Sequence, residues 1–339
     1  LNPAPPRLET LDAAFTLSGR DATIRTLPVA RFRCEGTLND NQLALSAAEL
    51  GTRTGATVSA HGTIALDTQR WRLDAEFAGN LAALLDELGQ PDPLPPLFTL
   101  RSGPDKDRAD ITLAGVGTQR NALDGNGTVR LRTLQIGKQP FAKADAELTL
   151  KGHVLTLANL ILRPQLVANS ANERIEGDAR VDLAAGTLEG SVQARLTPAR
   201  VKSMMPGSDV PPKQVPQPAE GQALEHEHST AVEHLVNHLG GTGTLHADLT
   251  LEPSPWAQPE AWTLTGTLAG EDFAVATVPV ETLKADLAIT REHIVIANAQ
   301  LRTSQTSVFH GRGKWSRGQA GGFSAHVEGT TDFADLKPY

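Results

Sequence analysis

From Ala142 to Lys151 the chain alternates residue by residue. Ala142, Ala144, Ala146, Leu148 and Leu150 fall on one side, and Lys143, Asp145, Glu147, Thr149 and Lys151 on the other. A period of two predicts a half-buried antiparallel strand with one apolar and one solvated face. The same alternation returns at Trp71, Leu73, Ala75 and Phe77, at Leu188, Val192, Ala194 and Leu196, and at Phe323, Ala325 and Val327. Read along its whole length, the pattern predicts roughly fifteen to twenty such strands and about two short helices. So few helices cannot cover so many apolar faces. Those faces must pack on one another, as a sandwich or barrel, or line an open trough.

The alternation is organised as a threefold repeat, over residues 15–88, 127–205 and 266–339. Each copy leads through an extended segment to an apolar anchor, Val29, Phe141 or Val280. Paired alternating strands follow: VARFRCEGTL with LALSAAEL, FAKADAELTL with LTLANLIL, and VETLKADLAI with IVIANAQL. A glycine follows each pair, at Gly62, Gly177 and Gly311, and leads into a last alternating strand. Each copy closes on a short helix-like segment, NLAALLDEL, TPARVKSMM or FADLKPY. Repetition of this kind predicts a body that grows unit by unit, which favours the trough over separate sandwiches.

The resulting division is a first β-repeat over 1–98 with a helix at Leu81–Leu88, and a second over 99–205 with a preceding strand pair (Ile111–Gly115 and Gly127–Leu134). A linking region spans 206–240, and the third repeat covers 241–339. Asn80 is the expected N-cap of the first helix and Gly89 its C-terminal glycine. Ser102 to Arg108 reads as a charged loop. The linking region begins with a proline-rich stretch from Pro206 to Glu220. A longer helix is predicted next, from about Ala219 to Leu239, stopped by Gly240–Gly241.

Composition narrows the class. Of the 339 residues 40% are apolar but only 4% aromatic, so any core is aliphatic. A net charge of −8, with both signs interspersed, lacks the basic stripe of a nucleic-acid binder. Cys34 is the only cysteine and forms no internal disulfide. There is neither an eighteen-residue apolar run nor a signal-peptide pattern. The chain starts at Leu1 and is read as a piece of a longer protein.

Catalytic chemistry is sparse. The densest polar cluster is HEHSTAVEHLVNH, with His226, Glu227, His228, Glu233, His234 and His238. On a helix His234 and His238 stand one turn apart and form a weak zinc-chelating pair. The order does not match HExxH, and Thr230 stands where HxxEH needs its first histidine. A solvated, histidine-rich helix face is the simpler reading. There is no nucleophile elbow, P-loop or dinucleotide fingerprint, and no cofactor is expected. Four Trp and one Tyr, with Trp71 and Trp315 at alternating apolar positions, give little basis for a carbohydrate platform.

The third copy resembles the C-terminal region of AsmA-like proteins of Gram-negative envelopes. The resemblance rests on Leu283–Ile289, Ile294–Leu301, Gly311 with Gly313, and Asp332–Leu336. The second copy matches at Leu155–Leu162 and Gly177, and the first at Leu43–Leu50, Gly62 and Leu81–Leu85. The resemblance implies a long curved sheet folded around a hydrophobic groove, tethered to the inner membrane and extending into the periplasm. It also implies movement of phospholipid towards the outer membrane.

The expectation is therefore an all-β, elongated, curved sheet with a hydrophobic groove, tandem β-sandwiches being the alternative. Function is expected to be non-enzymatic carriage of phospholipid or another acyl lipid. The groove positions are Trp71, Leu73, Phe77, Ala146, Leu148, Leu150, Val192, Leu196, Val280, Leu283, Leu287, Ile289, Ile294 and Ile296. The rivals are a passive envelope scaffold or adhesin of closed sandwiches, and a carrier of a bulkier lipid such as lipopolysaccharide.

Overall fold

A computed structural model describes residues 12–24, 27–87, 98–101, 106–117, 122–136, 139–165, 172–204, 238–256, 258, 261–275, 278–304, 306–316 and 323–331. The proline-rich stretch, Ala219–Ser229 and most of the histidine cluster lie outside these residues, as do Gly89, His234 and Asp332–Leu336.

Nineteen strands and two helices make up the described fold. The first unit holds β1 (Ala13–Ile24), β2 (Leu27–Asn39), β3 (Gln42–Thr52), β4 (Thr57–Ala65), β5 (Arg70–Gly79) and α1 (Leu81–Glu87). Next come β6 (Phe98–Leu100), β7 (Asp107–Val116), β8 (Asp124–Leu131) and β9 (Leu134–Ile136). The second unit continues through β10 (Gln139–Lys151), β11 (Val154–Pro164), β12 (Arg174–Asp182), β13 (Thr187–Leu196) and α2 (Pro198–Met204). The remainder is β14 (Leu239–Pro255), β15 (Leu264–Val275), β16 (Val278–Ile289), β17 (His293–Arg302), β18 (Val308–Ser316) and β19 (Phe323–Thr330).

Every pairing is antiparallel. The main ladder runs in chain order from β1 to β5, through β7 and β8 to β10, and on to β19. Strands β6 and β9 form a small annex beside the start of β10. The sheet is one continuous, curved and open surface, so the tandem-sandwich alternative does not hold. Its backbone ladder crosses both unit boundaries through β7 and β14, where a sandwich array would break it.

The repeat is visible in the register. Each unit carries a bulge at the same place, between Leu45 and Ala48, between Leu157 and Leu160, and between Ile296 and Ala299. In the second and third units Asn159 (φ 54°) and Asn298 (φ 49°) take the left-handed conformation there, which asparagine tolerates better than most residues. Gly177 and Gly311 pair with the residue after the bulge, whereas Gly62 pairs with Leu45 before it. The register partner of Gly62 in the third unit is therefore Gly313. A Cβ at Gly62 would overlap the carbonyl oxygen of Arg72, and one at Gly177 that of Ser191. The neighbouring backbone comes in close on this side only because no side chain stands there.

One long rim of the sheet is packed, and the other consists of turns. At the packed rim the three anchors are almost wholly enclosed, Val29 at 0%, Phe141 at 1% and Val280 at 2% exposure. Phe141 packs with Leu134, Ile136, Ala144 and Leu162, and Met204 of α2 leans on this cluster. Val280 packs with Leu245 and Phe273, and Val201 of α2 joins them. The polar groups of this rim are closed by two buried carboxylates. Asp107 accepts from the amides of Leu81 (3.0 Å), Arg132 (2.6 Å) and Thr133 (3.2 Å) and from the Thr133 hydroxyl (2.8 Å). Glu173 accepts from the Thr197 amide (3.0 Å) and pairs with Arg200 (3.0 Å).

Asn80 caps α1 as expected, accepting from the Ala83 amide at 2.9 Å. Three expectations fail. The predicted helix to Leu239 does not extend that far, because Leu239, Gly240 and Gly241 belong to β14 and His238 to the turn before it. Both glycines are strand residues, and Gly241 makes a close approach to Phe273 of β15. Ala142 leaves the alternation because the ladder shifts register between Phe141 and Lys143, so Phe141 takes the apolar side and Ala142 is exposed. In addition, Asp107 lies in a strand, although the sequence reads as a loop there.

Gly62→Val is expected to lower stability by about 1–3 kcal/mol in urea unfolding, from overpacking. Gly240→Ala is expected to be close to neutral, since a Cβ there meets nothing within 4 Å. Asp107→Ala strands several buried donors and is expected to cost about 3 kcal/mol or more by the same measurement.

Candidate functional site

Directly paired residues in an antiparallel ladder share a face, so the register sorts every side chain. Following the pairs from β3 gives one row: Leu45, Gly62, Leu73, Leu113, Gly125 and Leu150, continuing through Leu155, Val181 and Leu188. A second row runs Ala48, Ala60, Ala75, Ile111, Gly127, Leu148, Leu157, Ala179 and Gly190, then Leu251, Leu264, Ile289, Ile294 and Trp315. All these positions are aliphatic, aromatic or glycine, and they lie on one side of the sheet.

All of the groove positions expected from the sequence except Val280 fall on this face by register; Val280 pairs with Phe273, at the opposite parity to Leu283, and packs with Leu245 and Phe273. Trp71, Leu73, Phe77, Leu148, Leu150, Val192, Leu283, Leu287, Ile289, Ile294 and Ile296 are half-buried. Three are closed off. Val280 and Leu196 belong to the packed rim, and Ala146 is 6% exposed between larger neighbours. Sequence reading missed Ile111, Leu113, Leu249 and Leu251, which lie in the linking strands β7 and β14. Their signal was legible as the same alternation, in DRADITLAG and LHADLTLEP.

The face is open in its middle. In a closed sandwich the mid-strand side chains would be the most buried, yet here Leu73, Ile111, Leu148, Val192, Leu249, Leu287 and Ile296 all keep partial access to solvent. Aromatic rings lie against bare backbone across strand pairs: a Cβ at Gly19 or Gly36 would meet the Phe32 or Phe15 ring, and one at Gly115 would meet Trp71. Trp71 is held there by its indole N–H, which donates to the Gly117 carbonyl at 3.0 Å. The sheet thus offers a continuous apolar surface of about sixteen strand spacings, on the order of 80 Å along the curve.

The opposite face is charged. Arg180 pairs with Glu189 (2.9 Å), Lys143 with Asp145 (2.9 Å), and Arg72 with Asp74 (3.5 Å). A recess of about 730 Å³ opens among Glu49, His61, Asp74, Glu76, Asp110 and Glu147, and Ala48, Ala60, Ala75, Ile111 and Leu148 also line it. It is a wide, open depression of mixed polar and apolar lining. Among the described residues no group of three or more His, Cys, Asp and Glu is placed to hold a metal, and no helix is long and apolar enough to cross a membrane. Cys34 lies half-buried on the apolar face, opposite Ala48 and Leu17.

Asp74 is held below its ordinary carboxyl value, first by the Thr112 hydroxyl, which donates to it, and then by Arg72 and His61, against partial desolvation. A carboxyl whose folded-state pKa is depressed adds stability above its unfolded pKa and loses it as pH falls through the folded value. The stability gap between wild type and Asp74→Asn is therefore expected to shrink as pH falls from about 6 to about 2. Urea melts across that range check this.

No family model matches the chain, and no curated protein or solved structure does either.

Proposed function

We propose that this chain is a non-enzymatic carrier whose open apolar face shields the acyl chains of phospholipid or another acyl lipid. The observation that supports the reading best is the half-buried, uninterrupted apolar face of a seventeen-strand ladder packed along only one rim. A soluble protein rarely exposes so much contiguous apolar surface without a partner for it.

The energetics favour this guest. Each methylene removed from water contributes about 0.8 kcal/mol, so a sixteen-carbon chain costs on the order of 12 kcal/mol to leave exposed. An aliphatic wall offsets that cost along the whole chain without a directional contact at any one point, which suits sliding. The surface, at on the order of 80 Å, is longer than a bilayer's hydrocarbon core of about 30 Å. The AsmA-like repeat motifs extend the proposal to a place in the Gram-negative envelope, with an inner-membrane tether and outer-membrane supply.

A photo-crosslinking residue at Leu148 is expected to capture lipid from a membrane extract, identified by mass spectrometry, while one at the adjacent Thr149 on the polar face captures none. Ile111→Lys is expected to lower the lipid recovered with the purified protein by roughly tenfold. Recovery of no lipid, or equal labelling from Leu148 and Thr149, overturns the carrier reading and leaves a scaffold role.

A further inference from the structure

Each unit of five antiparallel strands ends on a strand that runs from the turn rim to the packed rim: β5, β13 and β19. In the first two units the outer edge of that strand is taken by a linking strand running back, β7 against β5 and β14 against β13. The bulges align the three. Gly62, Ala179 and Gly313 each pair with the residue just before the bulge, and their outward partners are Leu73, Gly190 and Ala325. Counting from there, Ala75, Val192 and Val327 are equivalent, as are Glu76, Gln193 and Glu328.

In that common register the two linking strands carry nearly the same five residues. Against Phe77 to Leu73 stand Ala109, Asp110, Ile111, Thr112 and Leu113. Against Ala194 to Gly190 stand Ala247, Asp248, Leu249, Thr250 and Leu251. The apolar contact repeats, while the polar bond across each pair sits at a different register position. The branched residue, Ile111 or Leu249, lies beside the small Ala75 or Val192 on the apolar face. Thr112 donates to Asp74, and Gln193 donates to Asp248, across the polar face.

At β19 the equivalent edge has no partner among the described residues, and Val327 is 64% exposed, more than any other large hydrophobic described. The edge carries one of the features that discourage strand pairing, the charged Glu328 beside His326, and lacks the others. From Phe323 to Thr330 there is no proline, lysine or left-handed residue. The other free edge, β1, is interrupted by Asp21 (φ 49°) next to Arg20. Nor does β1 of a second copy fit against β19. Both strands run from turn rim to packed rim, so aligning the two grooves would make that pair parallel in an otherwise antiparallel ladder.

The geometry points to β19 as an acceptor edge for one antiparallel strand of the Ala-Asp-(Ile/Leu)-Thr-Leu type, supplied by a partner polypeptide. It would place its branched residue beside Val327 and its threonine across from His326, and so continue the unit-to-unit contact already present at β5–β7 and β13–β14. Main-chain bonding supplies affinity and the alternate apolar contacts set register. The inference concerns the sheet edge and does not depend on the lipid reading.

The test uses the whole chain and a fluorescein-labelled peptide of residues 245–253, LHADLTLEP. Saturable binding by anisotropy is expected, with slowed amide exchange confined to β19. A scrambled peptide is expected not to bind. Val327→Lys is expected to weaken binding by roughly tenfold or more, while Val327→Ile retains it; the site is exposed, and circular dichroism checks that the fold is kept. Equal binding of the scrambled peptide, or protection at β1 instead, overturns the proposal. A peptide-independent dimer abolished by Val327→Lys also overturns it, by assigning the edge to a second copy.

Discussion

Hydrogen bonding between successive antiparallel strands forces directly paired residues onto one face, and here that relation holds without a break from β1 to β19. A slip by one residue at any pair would turn a whole strand over and put leucines in water and carboxylates against leucines. The apolar face is therefore a property of the complete ladder, and each strand contributes to it only while its neighbours keep register. The linking strands β7 and β14 matter for this reason, since they carry the register from one unit to the next.

Bulges are the points where this constraint is tested. Each adds a residue to one strand, which would invert the faces beyond it if the extra residue were not extruded. Asn159 and Asn298 absorb it by entering the left-handed region, and the sorting resumes at Leu160 and Ala299. Bulges also increase local twist. They recur at one place in each unit, and in the second and third units Gly177 and Gly311 stand opposite the residue that follows.

The two rims divide the work of stability and access. The most completely enclosed side chains lie along the packed rim, where Val29, Phe141 and Val280 are held and where Asp107 and Glu173 close the loose backbone ends. The middle of the strands is left to half-buried Leu, Ile and Gly. A core along one rim holds the sheet open, and a core in the middle would have closed it.

Much of this was legible in the chain itself. Alternation assigned Trp71, Leu148, Leu287 and the other groove positions to one face, because a side chain's side depends only on its parity along a strand. The repeat singled out Val29, Phe141 and Val280, because enclosed anchors are the positions where a large apolar residue recurs. Parity failed at Ala142, since a bulge is set by the neighbouring strand and leaves no mark in composition. The predicted helix end at Leu239 failed because a Gly-Gly pair reads alike as a helix stop or as close strand contact. Local pattern thus determined the strands, their faces and the repeat. Only the tertiary structure decided that the strands form one open ladder, which groove positions are enclosed at the packed rim, and that the edge of β19 stands where β7 and β14 pair elsewhere. Those outcomes depend on contacts between residues far apart in the chain, and alternation within a single strand carries no information about which strand lies beside it.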